Sequence, residues 1–304
     1  MGTALVLGSG GITGIAWTLG VLSTWPHSAC DLVVGTSAGA FAGALDGNPA
    51  AFAHACDAML GADHGSAKRD LARGLGNRLP HLLAVPGRRG DALVRAWMVG
   101  AVARRFAASA GSGRAALGAA AAALRRQLAA LPLDDAGVRA IALLAVGRRT
   151  AAGPAWVQYW HDQLAGATWP ATLRIVAIDG RTGMRHVFDR DSGVPLARAV
   201  AASTAIPALV GAVPIGDSAY FDAGVADTTS ADLAAGHERV VVLVPNPRPP
   251  LEDHLRMLRA TGAEVVTVLP GDLGVLGAGQ RRLDAAGQPA SFELGRQDGR
   301  AIPA

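Results

Sequence analysis

Short apolar runs alternate with helical patterns at the start of the chain. Residues 3–7 form an uncharged apolar run, typical of a strand buried in a parallel sheet. A glycine-rich loop at 8–11 follows, and apolar residues then recur at helical spacing to about Trp25. A second strand is predicted at 31–34, with an apolar run at 32–34, and it leads through another glycine turn into a small-residue helix ending near Leu45. The pattern predicts two consecutive strand–loop–helix units.

Strand patterns are absent between residues 48 and 168 and return afterwards. The central region is rich in alanine and arginine and is broken by glycine and proline, which predicts a helical insertion. A helix is predicted at about 194–202. Further strands are predicted at residues 172–178, 184–188, 219–221, 240–244 and 264–269.

These elements predict one α/β domain over residues 1–290 with a mostly parallel sheet. Within it, residues 48–168 are the helical insertion. The residues beyond Gly287 carry no strong pattern, and we expect a loosely ordered tail at 291–304. Ligands of open α/β sheets sit where the strands end, so both glycine loops are candidate site elements.

Composition indicates a compact protein with an uneven charge distribution. Half of the 304 residues are hydrophobic and 17% are charged, which excludes a disordered chain. Residues 68–126 hold twelve basic side chains against two acidic ones, although the whole chain carries only +4. This basic stretch is either a solvated face or a surface for peripheral contact with anionic membrane lipids. An apolar stripe at 94–102 likewise fits a core-facing or a lipid-contacting helix. We expect no nucleic-acid partner.

The cysteines and the N-terminus indicate neither secretion nor a membrane span. Cys30 and Cys56 lie in apolar surroundings and are predicted to be small buried side chains, without a disulfide framework or a metal site. The first thirty residues are uncharged, but they lack a basic leader segment, and the glycines at 8–14 interrupt any spanning helix. We expect a cytoplasmic protein, with peripheral membrane contact as a further option.

The turn between the second strand and its helix reads Gly-Thr-Ser-Ala-Gly at residues 35–39. A G-x-S-x-G sequence in a strand–turn–helix context is the pattern of a nucleophile elbow. Gly35 and Gly39 would let the strand and the helix approach closely, and the sharp turn exposes the hydroxyl between them. Ser37 is therefore the candidate nucleophile.

The upstream loop, residues 8–11, precedes the first predicted helix. Backbone N–H groups at a helix start can stabilise a developing negative charge. A dinucleotide fingerprint fits poorly because the G-x-G-x-x-G spacing is missed at Thr13. The second strand also ends in Gly35 and Thr36 rather than in an acidic residue. We therefore expect an anion cradle and no nucleotide.

A serine hydroxyl needs a base, and two arrangements are possible. A histidine triad would use Ser37, Asp222 and then His237 or His254, in the order of the α/β-hydrolases. However, the elbow of such an enzyme normally follows several strands, and both histidines lie in stretches typical of the surface.

The alternative is a carboxylate base. Asp222 directly follows a short strand, which is typical of a catalytic position. Asp179 also follows a strand, but residues 179–183 read as a hairpin turn. We favour Asp222.

Four blocks resemble motifs of the patatin-like phospholipase family, in the family's order. Residues 9–14 are similar to its G-G-G-x-R/K-G oxyanion loop, and residues 35–39 to its G-x-S-x-G elbow. Residues 201–207 resemble its alanine–serine–proline segment, and residues 222–224 its D-G-G/A motif. The supporting motif residues are Gly8, Ser9, Thr13, Gly14, Gly35, Gly39 and Gly224.

This resemblance implies a three-layer α/β/α fold and a lipid acyl hydrolase that needs no metal or cofactor. Ser37 would be the nucleophile and Asp222 the base of a dyad without histidine. The N–H groups of Gly10, Gly11 and Ile12 would form the oxyanion hole. The substrate would be a lipid or another acyl ester.

Three residues depart from the family pattern. Ser9 replaces a glycine, Thr13 stands where the family usually has Arg or Lys, and Ala223 follows the candidate base in place of glycine. A left-handed backbone at Ala223 would be strained. These departures leave open a catalytically silent fold that binds lipid or a partner, and acyl transfer to an alcohol instead of water.

Overall fold

The computed structural model describes residues 2–25, 30–60, 152–164, 166–207, 210–277 and 279–302. The basic stretch at 68–126, the apolar stripe at 94–102 and most of the helical insertion at 48–168 lie outside these residues. The predictions made for them remain predictions.

A single mixed sheet organises the described residues. Seven of its eight strands follow the order β5-β6-β3-β2-β1-β7-β8, and the eighth, β4, pairs with β3 off this path. The strands are β1 Thr3–Leu7, β2 Leu32–Thr36, β3 Leu173–Asp179, β4 Arg185–Phe188, β5 Val213–Ile215, β6 Ser218–Asp222, β7 Arg239–Leu243 and β8 Glu264–Val268. The run β3-β2-β1-β7-β8 is parallel, while β4, β5 and β6 pair antiparallel. The predicted mostly parallel sheet is confirmed.

Helices flank this sheet and complete a three-layer α/β/α fold. The described helices are α1 Gly11–Thr24, α2 Ala38–Asp46, α3 Pro49–Leu60, α4 Ala152–Gln163, α5 Leu196–Ser203, α6 Leu251–Ala260, α7 Leu273–Leu276 and α8 Gln288–Arg300. Strands β1, β2 and β7 are buried almost throughout, because both faces of a parallel sheet are covered in such a fold.

The predicted strands and helices outside the insertion all occur, with ends shifted by a few residues. Strand β5 was not predicted. It has three residues, one of them Pro214, and it pairs with β6 across a tight turn at Gly216, where φ is +56°. A strand this short, containing proline, leaves little periodicity to detect.

The expectation of a loosely ordered tail at 291–304 is wrong for its described part, residues 291–302. Residues Gln288–Arg300 form α8, which packs along α1. The two backbones come so close that a Cβ atom at Gly20 or Gly295 would overlap a carbonyl oxygen of the other helix. Because α8 covers its outer side, α1 is buried around its whole circumference from Thr13 to Leu22. Sequence periodicity misses this contact, since glycine carries no side chain to signal packing.

Substituting Gly295 with alanine tests this close approach. Alanine normally stabilises a helix by up to about 1 kcal/mol relative to glycine. Here the added methyl group would overlap the Trp17 carbonyl oxygen. We therefore expect the free energy of unfolding to fall by about 2 kcal/mol in urea titrations. Gln297→Ala, at an exposed position of α8, is the control and should change it by less than about 0.5 kcal/mol. A stabilised Gly295→Ala variant would contradict the packing.

Candidate active site

Ser37 lies at the sharp turn between β2 and α2. Its backbone has φ 54° and ψ −112°, a conformation that non-glycine residues rarely adopt. The flanking glycines are required sterically. A Cβ at Gly35 would lie 2.7 Å from the Cα of Ala40, and one at Gly39 would overlap the Leu7 carbonyl. Strand, turn and helix therefore fit together only with these small residues.

A buried serine supports this strained turn. The Ser37 N–H donates a hydrogen bond to Ser203 Oγ at 2.8 Å, and the Ser203 hydroxyl donates to the Val176 carbonyl at 2.6 Å. Ser203 is fully buried at the end of α5. It therefore links the elbow to the neighbouring strand β3.

The sheet register brings Asp222 next to Ser37. Val176 and Ala177 are consecutive in β3; Val176 pairs with Thr36 on one side, and Ala177 pairs with Asp222. The hydroxyl of Ser37 donates to Asp222 Oδ2 at 2.7 Å. Both side chains are buried, with 5% and 4% of their surfaces exposed.

The second carboxylate oxygen of Asp222 is held by the turn that follows β6. Oδ1 accepts a hydrogen bond from the Gly224 N–H at 2.7 Å. Burial raises the pKa of Asp222 to about 6, while the bonds from Ser37 and Gly224 and the charge of Arg248 act to lower it. Asp222 is therefore mostly ionised at pH 7 and can accept a proton.

The glycine loop joins β1 to α1 beside this pair. The Gly8 N–H donates to Leu243 O at 3.0 Å, and the Ser9 N–H donates to Thr228 O at 2.7 Å. These two bonds fix the start of the loop. Ser9 also packs against Gly224: a Cβ added at Gly224 would lie 2.8 Å from the Cβ of Ser9. The loop is therefore in direct contact with the turn that holds Asp222.

The N–H groups of Gly10, Gly11 and Ile12 belong to the start of α1. The bond from Gly14 N to Gly10 O, at 3.2 Å, opens the helical ladder, and the N–H groups before it have no intrahelical acceptor. Gly11 has φ +68°, which favours glycine. A helix start with such N–H groups can bind an anionic oxygen.

Two of the departures from the family pattern have a structural explanation. Ala223 is not among the described non-glycine residues with positive φ, so alanine is unstrained there. The Thr13 hydroxyl donates to the Leu276 carbonyl at 2.8 Å, and its side chain is buried. Thr13 thus anchors the loop to the C-terminal part of the chain.

The two candidate histidines bind elsewhere. His237 Nδ1 lies 3.1 Å from the Ala234 carbonyl. Both rings are partly buried, whereas surface positions were expected. His254 is 18% exposed; its Nδ1 lies 3.7 Å from Asp227 Oδ2 and its Nε2 lies 3.8 Å from Asp232 Oδ1. Among the described residues, the hydroxyl of Ser37 bonds to Asp222 and to neither histidine.

Asp227, Asp232 and His254 are close enough together to be considered as metal ligands. However, Arg185 donates to both oxygens of Asp232 at 2.6 Å. A guanidinium in this position satisfies the carboxylate and places a positive charge where a cation would bind. This geometry favours an ion-pair cluster that ties α6 to β4 over a metal centre.

Sequence reasoning did not assign the supporting roles of Ser203 and Thr228. Ser203 lies in the block at 201–207 that resembled a family motif, but only the structure relates its hydroxyl to the N–H of Ser37. The role of Thr228 depends on its carbonyl group, which carries no side-chain signal.

The sheet is mostly parallel and lies between helix layers. A serine occupies the elbow between a strand and a helix, and a buried aspartate lies beside it. These features define an α/β protein with a G-x-S-x-G serine elbow. The family model for patatin-like phospholipase matches residues 5–235, and the chain belongs to this family. A search of curated proteins found no match. Membership indicates lipid acyl hydrolase activity and lipid substrates.

None of the helices described is both long enough and apolar enough to cross a membrane.

Replacing Ser203 with alanine tests its support of the elbow. The change leaves the buried Ser37 N–H without its acceptor, and we expect the free energy of unfolding to fall by about 1–3 kcal/mol. Ser291→Ala is the control, because that buried hydroxyl has no hydrogen-bond partner in the described structure. Its removal should cost less than about 0.5 kcal/mol. Equal stability of the two variants in urea titrations would show that Ser203 does not support the turn.

Proposed function

We propose that this protein is a serine lipid acyl hydrolase that works through a Ser37–Asp222 dyad and an acyl-enzyme intermediate. The observation that carries the proposal is the 2.7 Å hydrogen bond from Ser37 Oγ to the buried carboxylate of Asp222. Family membership supports the substrate class, an acyl ester of a lipid. The chemistry needs no cofactor, because the dyad itself supplies the nucleophile and the base.

In the acylation step, Ser37 Oγ attacks the ester carbonyl carbon and passes its proton to Asp222 Oδ2. The carbonyl oxygen becomes an anion and accepts hydrogen bonds from the N–H groups of Gly10, Gly11 and Ile12. One such donor contributes roughly 3–4 kcal/mol of transition-state stabilisation. When the intermediate collapses, the ester C–O bond breaks and Asp222 returns the proton to the leaving alcohol.

In the deacylation step, a water molecule gives a proton to Asp222 and attacks the acyl carbon. The same N–H groups bind the second oxyanion. The bond between the acyl carbon and Ser37 Oγ then breaks, and the serine oxygen takes the proton back from Asp222. The carboxylic acid leaves, and the dyad is restored.

Two alternatives share this site. A catalytically silent fold would bind lipid or a partner without turnover, and it would not react with a fluorophosphonate at Ser37. Acyl transfer uses the same residues but ends on an alcohol, so added alcohol would yield an ester in place of free acid. The unstrained backbone at Ala223 favours an active site over a silent one.

Variants of the dyad test the proposal most simply. Ser37→Ala removes the nucleophile and Asp222→Asn removes the base, so each should lower the turnover of a short-chain nitrophenyl ester by at least about 10³-fold. Asp179→Asn is the control, since Asp179 is also a strand-end aspartate but binds the N–H groups of its own turn. Full activity in either dyad variant would refute the mechanism.

The raised pKa of Asp222 predicts the pH dependence of activity. The base works only when it is ionised, so kcat/KM should rise from low pH to a plateau, with a midpoint near the Asp222 pKa of about 6. An imidazole base would give a similar midpoint. The temperature dependence of the midpoint separates the two bases. The ionisation enthalpy of a carboxyl group is close to zero, whereas that of an imidazolium is large. A midpoint that moves strongly with temperature would contradict a carboxylate base.

A further inference from the structure

The C-terminal segment, defined here as residues 270–277 and 279–302, crosses the start of α1. It lies beyond the part matched by the family, which ends at residue 235. It contains α7, two short 3-10 turns and α8. Besides the packing of α8 on α1, it makes a second set of contacts, with the glycine loop itself.

Several of these contacts with the loop and the first turn of α1 are made by the backbone of the segment. The Thr13 hydroxyl donates to Leu276 O at 2.8 Å. Gly11 faces the carbonyl of Arg282 so closely that a Cβ there would lie 2.7 Å from the oxygen. Gly287 lies close to Thr13, where its added Cβ would be 3.0 Å from the Thr13 methyl carbon. The segment therefore covers one side of the loop.

The side chain of Arg282 reaches the other side of the loop. Its Nη1 donates to the Pro245 carbonyl at 2.8 Å. The Pro245 ring packs on Gly10, where a Cβ would lie 2.7 Å from the Pro245 Cβ. Gly10 and Gly11 are thus confined between Pro245 and Arg282, and the guanidinium bond joins these two walls.

We propose that Arg282 is a positioning residue for the glycine loop, whose N–H groups at Gly10 and Gly11 are the proposed oxyanion donors. It holds the N–H groups of Gly10 and Gly11 in the orientation that the oxyanion requires, through its carbonyl on Gly11 and its bond to Pro245. This inference rests on the proposed function, since it assigns Arg282 to the same reaction.

The test compares Arg282→Met, which keeps the length of the side chain but not its donors or charge, with Arg282→Lys, which keeps both a donor and the charge. With a nitrophenyl ester, we expect Arg282→Met to lower kcat about tenfold with KM little changed, because misplaced donors weaken only the transition state. Arg282→Lys should have a kcat within about threefold of wild type. Arg281→Met, at the exposed neighbouring position, is the control and should behave as wild type.

Amide hydrogen exchange gives a readout that does not depend on activity. We expect exchange in the peptide spanning residues 8–14 to quicken in Arg282→Met and to stay unchanged in Arg281→Met, at equal melting temperatures. The inference is overturned if Arg282→Met keeps wild-type kcat and wild-type exchange. It is also overturned if kcat falls only in step with the melting temperature and lysine does not restore it. An inactive wild type would refute the proposed function, and the exchange measurement would still decide the role of Arg282.

Discussion

The hydrogen bond between Ser37 and the buried carboxylate of Asp222 depends on strand β3. Two consecutive residues of β3 pair with Thr36 and with Asp222, so a strand that contributes neither reacting group determines their separation. The Val176 carbonyl, in the same strand, also accepts the hydrogen bond that fixes Ser203 beneath the elbow. Because every component is buried, a shift of one residue in register would separate the pair and leave a carboxylate in an apolar site.

Close backbone contacts make this arrangement possible and also rigid. Gly35, Gly39 and Gly224 each lie where a methyl group would collide with a neighbouring segment. Because these glycines have no side chains, the elbow, the glycine loop and the Asp222 turn can contact one another. The strained backbone of Ser37 persists because these surroundings leave it no alternative conformation.

Some features could be read from the sequence because they rest on local chemistry. The apolar runs predicted β1, β2 and β7, and the G-x-S-x-G spacing identified Ser37 as the candidate nucleophile. The sequence did not predict that the C-terminal residues form the packed helix α8, because the contact of α8 with α1 uses glycines instead of an apolar stripe. Nor could the contact of His254 with Asp227 or the contact of Arg282 with Pro245 be predicted, since each joins residues far apart in the chain.

The central claim is that the Ser37 oxygen carries the acyl group during turnover. Rapid acid quenching of the protein during hydrolysis of a nitrophenyl ester, followed by mass spectrometry of its peptides, measures this directly. We predict the mass of one acyl group on the peptide containing Ser37 and none on that peptide from Ser37→Ala. An acyl group on another residue, or product formation with no acylated peptide at any quench time, would contradict the dyad mechanism.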